Sequence, residues 1–227
     1  MPLPPETLEA ICQFDTCTIA NAIEQFGVRL RNEGYTQPGL RCLTGGCTPI
    51  IGYAATCRVH SADPPVRGGV YVESTAWWAG IEKLPAPRIA VIQAAGEDAG
   101  ASTVGEVHAA ILKAFHCSGV ITNGGVRDLP AVKRMGFPMF ARHASLSHAY
   151  AHLVDIGHPV EIFGLEIHSG DLIYADCHGA LSIPLAIALG IPEAAAQIRE
   201  RKRRIVEVCR SPGFSPEGLL QAIRSDS

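Results

Sequence analysis

The sequence predicts an α/β fold in which a mixed β-sheet is flanked by helices. In the centre of the chain, residues 101–115 carry apolar side chains at spacings of three and four, which is typical of an amphipathic helix. A short apolar strand at 119–122, a glycine-rich turn, a helix at 128–135 and a strand starting near residue 136 follow. This alternation indicates an α/β layer. Short strands between glycines come next and favour antiparallel or mixed pairing.

Regular elements are also predicted on both sides of this centre. The 227 residues, 47% of them hydrophobic, suffice for one sizeable core. We therefore expect one domain over residues 1–227, with a core at about 12–190 and a C-terminal helical arm at about 191–227. The apolar and turn patterns predict further helices at 6–14, 18–26, 191–208 and 216–224, and further strands at 53–59, 87–94, 160–163, 171–174 and 178–183.

Charge and hydropathy argue against several classes of protein. The formal net charge of −3 gives no basic field for a nucleic-acid partner. No apolar run reaches the roughly 20 residues that a membrane-spanning helix needs. The N-terminus lacks the basic start and the apolar stretch of a signal peptide. We expect a cytoplasmic protein with neither a membrane nor a nucleic-acid partner.

The eight cysteines contain no Cys-x2-Cys pair, and most have apolar neighbours. A chain of this size does not need a disulfide framework. We expect reduced, mostly buried thiols that pack as small hydrophobes, with a zinc site as the lesser alternative.

The first candidate binding feature is the segment from Thr103 to His108. Thr103-Val-Gly-Glu106 fits a capping box, so a helix is predicted to begin close to Thr103. The backbone N–H groups of Gly105, Glu106, Val107 and His108 would then lie in the first turn, where a carboxylate binds readily. Gly105 would let a ligand approach the backbone without a Cβ in the way. A capped helix without a ligand is the alternative reading.

The second candidate feature is Gly124-Gly-Val-Arg127-Asp128, which closes the strand at 119–122. In open α/β sheets, ligands collect beyond the carboxyl ends of strands. Arg127 in that place can bind a carboxylate through two parallel hydrogen bonds, and Asp128 can hold a hard divalent cation. The alternative is that Asp128 caps a helix while Arg127 faces solvent.

These segments resemble a known family. Residues 105–142 (GEVHAAILKAFHCSGVITNGGVRDLPAVKRMGFPMFAR) and 168–184 (HSGDLIYADCHGALSIP) are similar to the RraA-like family, which holds 4-hydroxy-4-methyl-2-oxoglutarate aldolase and the regulator of ribonuclease activity A. The resemblance rests on Arg-Asp about twenty residues after a glycine, here 21 residues between Gly105 and Arg127. It also rests on Ser169-Gly-Asp171 and Asp176-Cys-His-Gly179.

The resemblance implies an enzyme for a small oxo-acid. The backbone amides of 105–108 and the side chain of Arg127 would bind a pyruvate-like acid, and Asp128 would be the direct ligand of Mg²⁺ or Mn²⁺. The implied reaction is a class II retro-aldol cleavage in which the metal polarises the 2-oxo group, with oxaloacetate decarboxylation as a second activity. The resemblance further implies a homotrimer, or a hexamer built from two trimers, with the site between subunits.

The sequence departs from the aldolase pattern at one position. Aldolase-like members carry a further acid three residues after the aspartate, where this chain has Ala131. Glu106 is the candidate to replace that acid within the chain. By the resemblance, a glutamate from the C-terminal helix of a neighbouring subunit also contributes, and Glu200 fits better than Glu207. The missing acid leaves open a second function, a non-catalytic protein that binds and inhibits a ribonuclease assembly.

Two other features have simpler readings. His148 and His152 are four residues apart, which on a helix would place both on one face, and we expect packing rather than metal binding. The basic run at 199–204 is expected to be a solvated helix face with pairing partners one turn away.

Overall fold

The computed structural model describes residues 2–46, 48–66, 74–96 and 100–224. These residues form helices and strands that follow one another as α1 (Pro5–Ile11), α2 (Thr16–Glu24), β1 (Arg41–Cys42), β2 (Ile50–His60), α3 (Thr75–Glu82), β3 (Arg88–Ala95), β4 (Ser102–Val104), α4 (Glu106–Ala114), β5 (Cys117–Thr122), β6 (Gly125–Val126), α5 (Leu129–Met135), β7 (Met139–Ala141), β8 (His143–Ala144), β9 (His152–Ile156), β10 (Val160–Ile162), β11 (Leu165–Ile167), β12 (Leu172–Asp176), β13 (Gly179–Ile183), a 3₁₀ helix (Ala188–Gly190), α6 (Ile191–Arg210) and α7 (Pro216–Arg224).

The main sheet is mixed, as predicted. Its strands follow the order β1-β7-β5-β3-β2-β12-β13, and β9 pairs with β2 outside this path. The central strands β2, β3, β5 and β7 run parallel, whereas β1, β9, β12 and β13 pair antiparallel. A smaller parallel sheet, β4-β6-β8, and the β10–β11 hairpin complete the described strands. The predicted mixed α/β fold is therefore confirmed.

The central strands are apolar on both faces because both faces are covered. In β3, Ile89 and Val91 pack in a cluster with the β10–β11 hairpin. Their neighbours Ala90 and Ile92 point the other way and pack in a cluster with α4 and α5. All four are at most 2% exposed. This two-sided burial explains the continuous apolar run that predicts the strand.

A third apolar cluster joins α1, α2 and the start of α6 to β12 and β13. Asp15 caps α2 by accepting a hydrogen bond from the Thr18 N–H at 2.7 Å. The first turns of α6 are buried through Ile191, Ala194 and Ala195. Residue 191 is thus where α6 begins, but its first turns belong to the core and only the later turns extend over the surface.

Asp176 fastens α2 to the sheet. Its carboxylate is 1% exposed and accepts hydrogen bonds from the Thr16 N–H at 2.8 Å and the Thr16 hydroxyl at 2.6 Å. The His178 N–H also donates to it, at 2.9 Å. The Asp176-Cys-His-Gly179 pattern therefore has a structural role at the start of a helix.

Several predictions of local structure are wrong. Residues 101–105 are not helical, because Ser102–Val104 form β4 in a parallel pair with β6. His148 and His152 share no helix, since His148 lies in a turn and His152 begins β9. Helix α3 and strand β9 were not predicted. Among the residues described, no helix is long and apolar enough to span a bilayer.

The cysteine prediction is also partly wrong. Cys177 is disulfide-bonded rather than reduced. Six cysteines are free, as expected, but only Cys57 and Cys117 of these are buried, while Cys17 and Cys209 are exposed. Cys47 lies outside the described residues.

Candidate active site

Two parallel strand–helix units lie side by side and build the candidate site. One unit runs from β4 through Gly105 into α4, and the other from β6 through Arg127 and Asp128 into α5. Strands β4 and β6 are paired, and the Arg127 N–H donates to the Val104 carbonyl at 3.0 Å. Both helices therefore begin at the same open cleft of about 710 Å³, which is lined by Gly105, Glu106, Val107, His108, Arg127, Asp128 and His148.

The structure thus brings together six of the predicted site residues, although the predicted capping box is wrong. The Thr103 hydroxyl donates to the Gly125 carbonyl at 3.1 Å, so this side chain bridges the two strands. Gly105 instead holds the N-cap position in an extended conformation. The first-turn N–H groups are those of Glu106, Val107 and His108, which have no acceptor within the helix.

Asp128 joins the two units. Its Oδ2 accepts a hydrogen bond from the Glu106 N–H at 3.0 Å and lies 3.6 Å from the Arg127 Nε. The residue has left-handed backbone angles, φ 58° and ψ 31°, at the N-cap of α5. Such angles cost a non-glycine residue roughly 1 kcal/mol, and strain of this kind collects at functional sites.

Gly105 is required by the close approach of the two units. A Cβ at this position would lie 2.5 Å from the Asp128 Oδ2 and 3.0 Å from the Arg127 Nε. Its φ of −127° is open to any residue, so the constraint is space rather than backbone conformation. The open side of Gly105 is therefore filled by the Arg-Asp pair, and not only left for a ligand as expected from the sequence.

Arg127 presents a donor that the described part of the chain does not satisfy. Its Nε is buried and has no hydrogen-bond partner there, although the side chain as a whole is 31% exposed to the cleft. A buried unsatisfied donor costs about 1–3 kcal/mol. An anion in the cleft would supply the acceptor.

Two histidines also line the cleft. Burial lowers the pKa of His108, and the nearby charges of Arg127 and His148 lower it further, although a hydrogen bond with the Thr103 backbone acts the other way. The neutral form of His108 is therefore favoured. The Nδ1 of His148 lies 2.9 Å from the Ala149 carbonyl, which can only accept, so Nδ1 donates this hydrogen bond.

His148 was not predicted as a site residue. The sequence showed only its spacing to His152, and that spacing has meaning on a helix, which these residues do not form. A turn in which Ala149 has φ 44° places His148 at the cleft instead.

The remaining predicted site residues lie apart. Glu200 is on an exposed face of α6, outside the residues that line the cleft, and forms an ion pair with Arg203 at 2.6 Å. That hydrogen bond holds the pKa of Glu200 below its ordinary value. Ala131 follows Asp128 by one turn, and its N–H donates to the Asp128 carbonyl at 3.0 Å.

The acidic residues of the cleft fit a hard cation. Both contacts of Asp128 given above use Oδ2, and the side chain is 42% exposed. Glu106 is exposed at the first position of α4. Mg²⁺ is held in proteins by one or two carboxylates and keeps several waters, which matches this pair in an open cleft.

A second group of possible metal ligands does not fit. Asp176, Cys177 and His178 have ligand atoms within 4.8 Å of one another. However, Cys177 is disulfide-bonded, which removes the thiolate that a metal needs. The carboxylate of Asp176 already accepts from Thr16 and His178. We therefore assign a structural role, rather than a metal-binding role, to this group.

Comparison with known proteins places the chain. The sequence profile of the RraA-like family (Aldolase/RraA) matches residues 16–181. The chain belongs to the RraA-like family. A protein of Halalkalibacterium halodurans, provisionally named 4-hydroxy-4-methyl-2-oxoglutarate aldolase, is 30% identical over 154 residues, which are 64% of this chain and 68% of that protein. The uncharacterized protein MJ0644 of Methanocaldococcus jannaschii is 33% identical over 90 residues, 39% of this chain and 43% of that protein.

The fold of this RraA-like chain is found in solved structures. RraAS2 of Streptomyces coelicolor, described as an unusual member of the RNase ES inhibitor RraA family, aligns with a TM-score of 0.70. The alignment covers 89% of this chain and 96% of RraAS2 at 22% identity. At that identity the likeness concerns the fold. The family thus includes proteins named for an aldolase and proteins named for ribonuclease inhibition.

Proposed function

We propose that this RraA-like chain is a divalent-metal-dependent lyase that cleaves a 4-hydroxy-2-oxo acid to pyruvate. The observation that carries the proposal is the cleft, which is lined by a helix N-terminus, Arg127, Asp128 and Glu106. A 2-oxo acid has a carboxylate and an adjacent carbonyl, and these need an anion site beside a cation site.

The anion site consists of the first turn of α4 and Arg127. The N–H groups of Val107 and His108 offer donors at the positive end of the helix dipole. Arg127 adds a buried Nε without an acceptor among the described residues. In this arrangement the acid carboxylate is bound by amides and guanidinium together.

The cation site consists of Asp128 and Glu106. These residues would hold Mg²⁺ or Mn²⁺, which, when bound, supplies a Lewis acid for the 2-oxo group and the enolate that follows. The hydrogen bond from the Glu106 N–H already orients the Asp128 carboxylate, so little rotamer freedom is lost on binding.

The reaction also needs a base. In the retro-aldol step the C4 hydroxyl loses its proton, the C3–C4 bond breaks, its electron pair stays on C3, and C4 becomes a carbonyl. Glu106 and His148 line the cleft and are the candidate proton acceptors. Oxaloacetate decarboxylation gives the same enolate by loss of CO₂, and we propose it as a second activity.

We further propose that the protein works as a homotrimer or hexamer in which Glu200 reaches the cleft of a neighbouring subunit. Within one chain, Glu200 lies on the exposed part of α6, away from the cleft. Sedimentation velocity checks the assembly, and a monomer would remove this role for Glu200. In an oligomer, Glu200→Gln should lower kcat without dissociating the subunits.

The alternative is a non-catalytic member that binds and inhibits a ribonuclease assembly. Two observations favour it: the absence of an acid at Ala131, and the inhibitor description carried by the structurally similar RraAS2. Against it stands the cleft, in which the predicted anion and cation ligands converge.

Pyruvate release decides between the two functions. The rate is measured with 4-hydroxy-4-methyl-2-oxoglutarate, with the monocarboxylate 4-hydroxy-2-oxopentanoate and with oxaloacetate, with and without Mg²⁺, for the wild type, Asp128→Asn and Asp63→Asn. Asparagine tolerates left-handed angles and still accepts from the Glu106 N–H, so Asp128→Asn removes mainly the charge. Asp63 is exposed and outside the cleft. If the protein is a lyase, the rate of pyruvate release should fall at least 100-fold in Asp128→Asn and stay unchanged in Asp63→Asn. Background rates for all three proteins with every substrate would refute the lyase.

A further inference from the structure

A second pocket adjoins the cleft, and His108 lines both. This pocket is partly open to solvent. Among the described residues that line it there is no Asp, Glu, Lys or Arg. Its apolar wall consists of Val59, Ile92, Val104, Leu112, Ala151 and Leu153.

Trp77 gives this pocket an unsatisfied donor. The side chain lines the pocket and is 7% exposed, and its Nε1 is buried without a hydrogen-bond partner in the described part of the chain. A buried indole N–H usually has a partner. The C4 hydroxyl of a 4-hydroxy-2-oxo acid has the lone pairs to accept this N–H, whereas an alkyl group has none.

We propose that this pocket binds an uncharged, apolar C4 substituent of the 4-hydroxy-2-oxo acid. The inference rests on the proposed function and names the class of substrate for the same site. The acid carboxylate binds at Val107, His108 and Arg127, and the carbon chain passes His108 into the pocket.

A charged C4 substituent is excluded from this pocket. A second carboxylate, as in an oxoglutarate, would enter a mostly apolar space with no Lys or Arg on the described wall, and a buried unpaired carboxylate is costly. Among the described residues that line the cleft, Arg127 is the only Arg or Lys, and the C1 carboxylate uses it. The preferred acid is therefore a monocarboxylate with an alkyl group on C4.

The proposal predicts how affinity changes with chain length. Burial of one methylene is worth about 0.8 kcal/mol, or about fourfold in Kd. Pyruvate, 2-oxobutanoate, 2-oxopentanoate and 2-oxohexanoate are titrated calorimetrically into the Mg²⁺-loaded protein. We expect Kd to fall about 15-fold from 2-oxobutanoate, which ends at C4, to 2-oxohexanoate, which adds two carbons, and 2-oxoglutarate to bind no tighter than pyruvate.

Two variants locate the effect in the pocket. Ala151→Leu fills the pocket and should abolish the gain with chain length while pyruvate binds as before. Ala110→Leu makes the same change on the exposed face of α4 and should keep the gain. In a Trp78→Phe background Trp77 is the only tryptophan, so its emission reports the occupied pocket directly even if Ala151→Leu does not fold.

The outcomes separate this inference from the function on which it rests. If pyruvate binds but affinity does not change with chain length, or if Trp77 emission is the same with 2-oxopentanoate as with pyruvate, the apolar site is wrong and the proposed function stands. If no acid binds in the presence of Mg²⁺, both are wrong.

Discussion

The substitution Gly105→Ala tests the close approach of the two strand–helix units. The new Cβ would lie 2.5 Å from the Asp128 Oδ2, whereas ordinary contact begins at 3.4 Å, so the carboxylate must move by 3.4 − 2.5 = 0.9 Å. That shift breaks the hydrogen bond from the Glu106 N–H and misplaces the carboxylate that holds the cation. A misplacement of about 1 Å in an active site can cost about 100-fold in rate.

Stability should change much less than the rate. The Gly105 backbone suits alanine, and Asp128 can move into an open cleft, so we expect the free energy of unfolding to fall by about 1 kcal/mol, the low end for overpacking. The assay is pyruvate release coupled to NADH oxidation, with a Mg²⁺ titration and a urea melt. Gly80→Ala, where an added Cβ meets nothing within 4 Å, is the control. A Gly105→Ala protein with the rate and Mg²⁺ affinity of the wild type would refute this reasoning.

Three further predictions concern the fold and the thiols. Asp15→Ala should lower the free energy of unfolding by about 1 kcal/mol in urea melts at pH 7. Hydrogen bonds from Thr18 outweigh burial and lower the pKa of folded Asp15 below 3.8. The difference between wild type and variant should therefore be full above pH 3.8 and vanish as the pH falls through the lower pKa of the folded state. Asp176→Ala should lower the free energy of unfolding by about 3 kcal/mol or more, because it leaves buried donors unsatisfied. The folded variant should bind Mg²⁺ as the wild type does, and a loss of Mg²⁺ affinity would contradict a purely structural role for Asp176. Iodoacetamide at pH 8 should modify exposed Cys209 well before Cys57, whose pKa burial raises far above the ordinary value, and mass spectrometry of the native protein checks the order.

Periodicity identified most of the regular structure because the strongest patterns coincide with strongly buried elements. Strand β3 was predicted at 87–94 and lies at Arg88–Ala95, since burial on both faces requires an uninterrupted apolar run. The place of Arg127 and Asp128 was also foreseeable, because it follows from the end of one strand. The sequence therefore located the cleft, but not its whole lining.

The other features depend on contacts between distant segments. Thr103 fits a capping box, but pairing of β4 with β6 directs its hydroxyl to Gly125 instead. His148 reaches the cleft through a turn that the neighbouring sequence does not predict. The disulfide of Cys177 likewise depends on tertiary proximity, which spacing alone does not give.

The hydrogen bond from the Glu106 N–H to Asp128 affects what an Arg-Asp pair indicates in related proteins. The carboxylate that is proposed to hold the cation also fastens the start of α4 to the start of α5. A descendant that gave up chemistry for a docking role would still lose stability if it replaced this aspartate. An Arg-Asp pair in a related protein therefore indicates a conserved structure before it indicates catalysis. The acids and histidines around the pair, at positions such as Ala131 and His148, are better indicators of whether a family member is an enzyme.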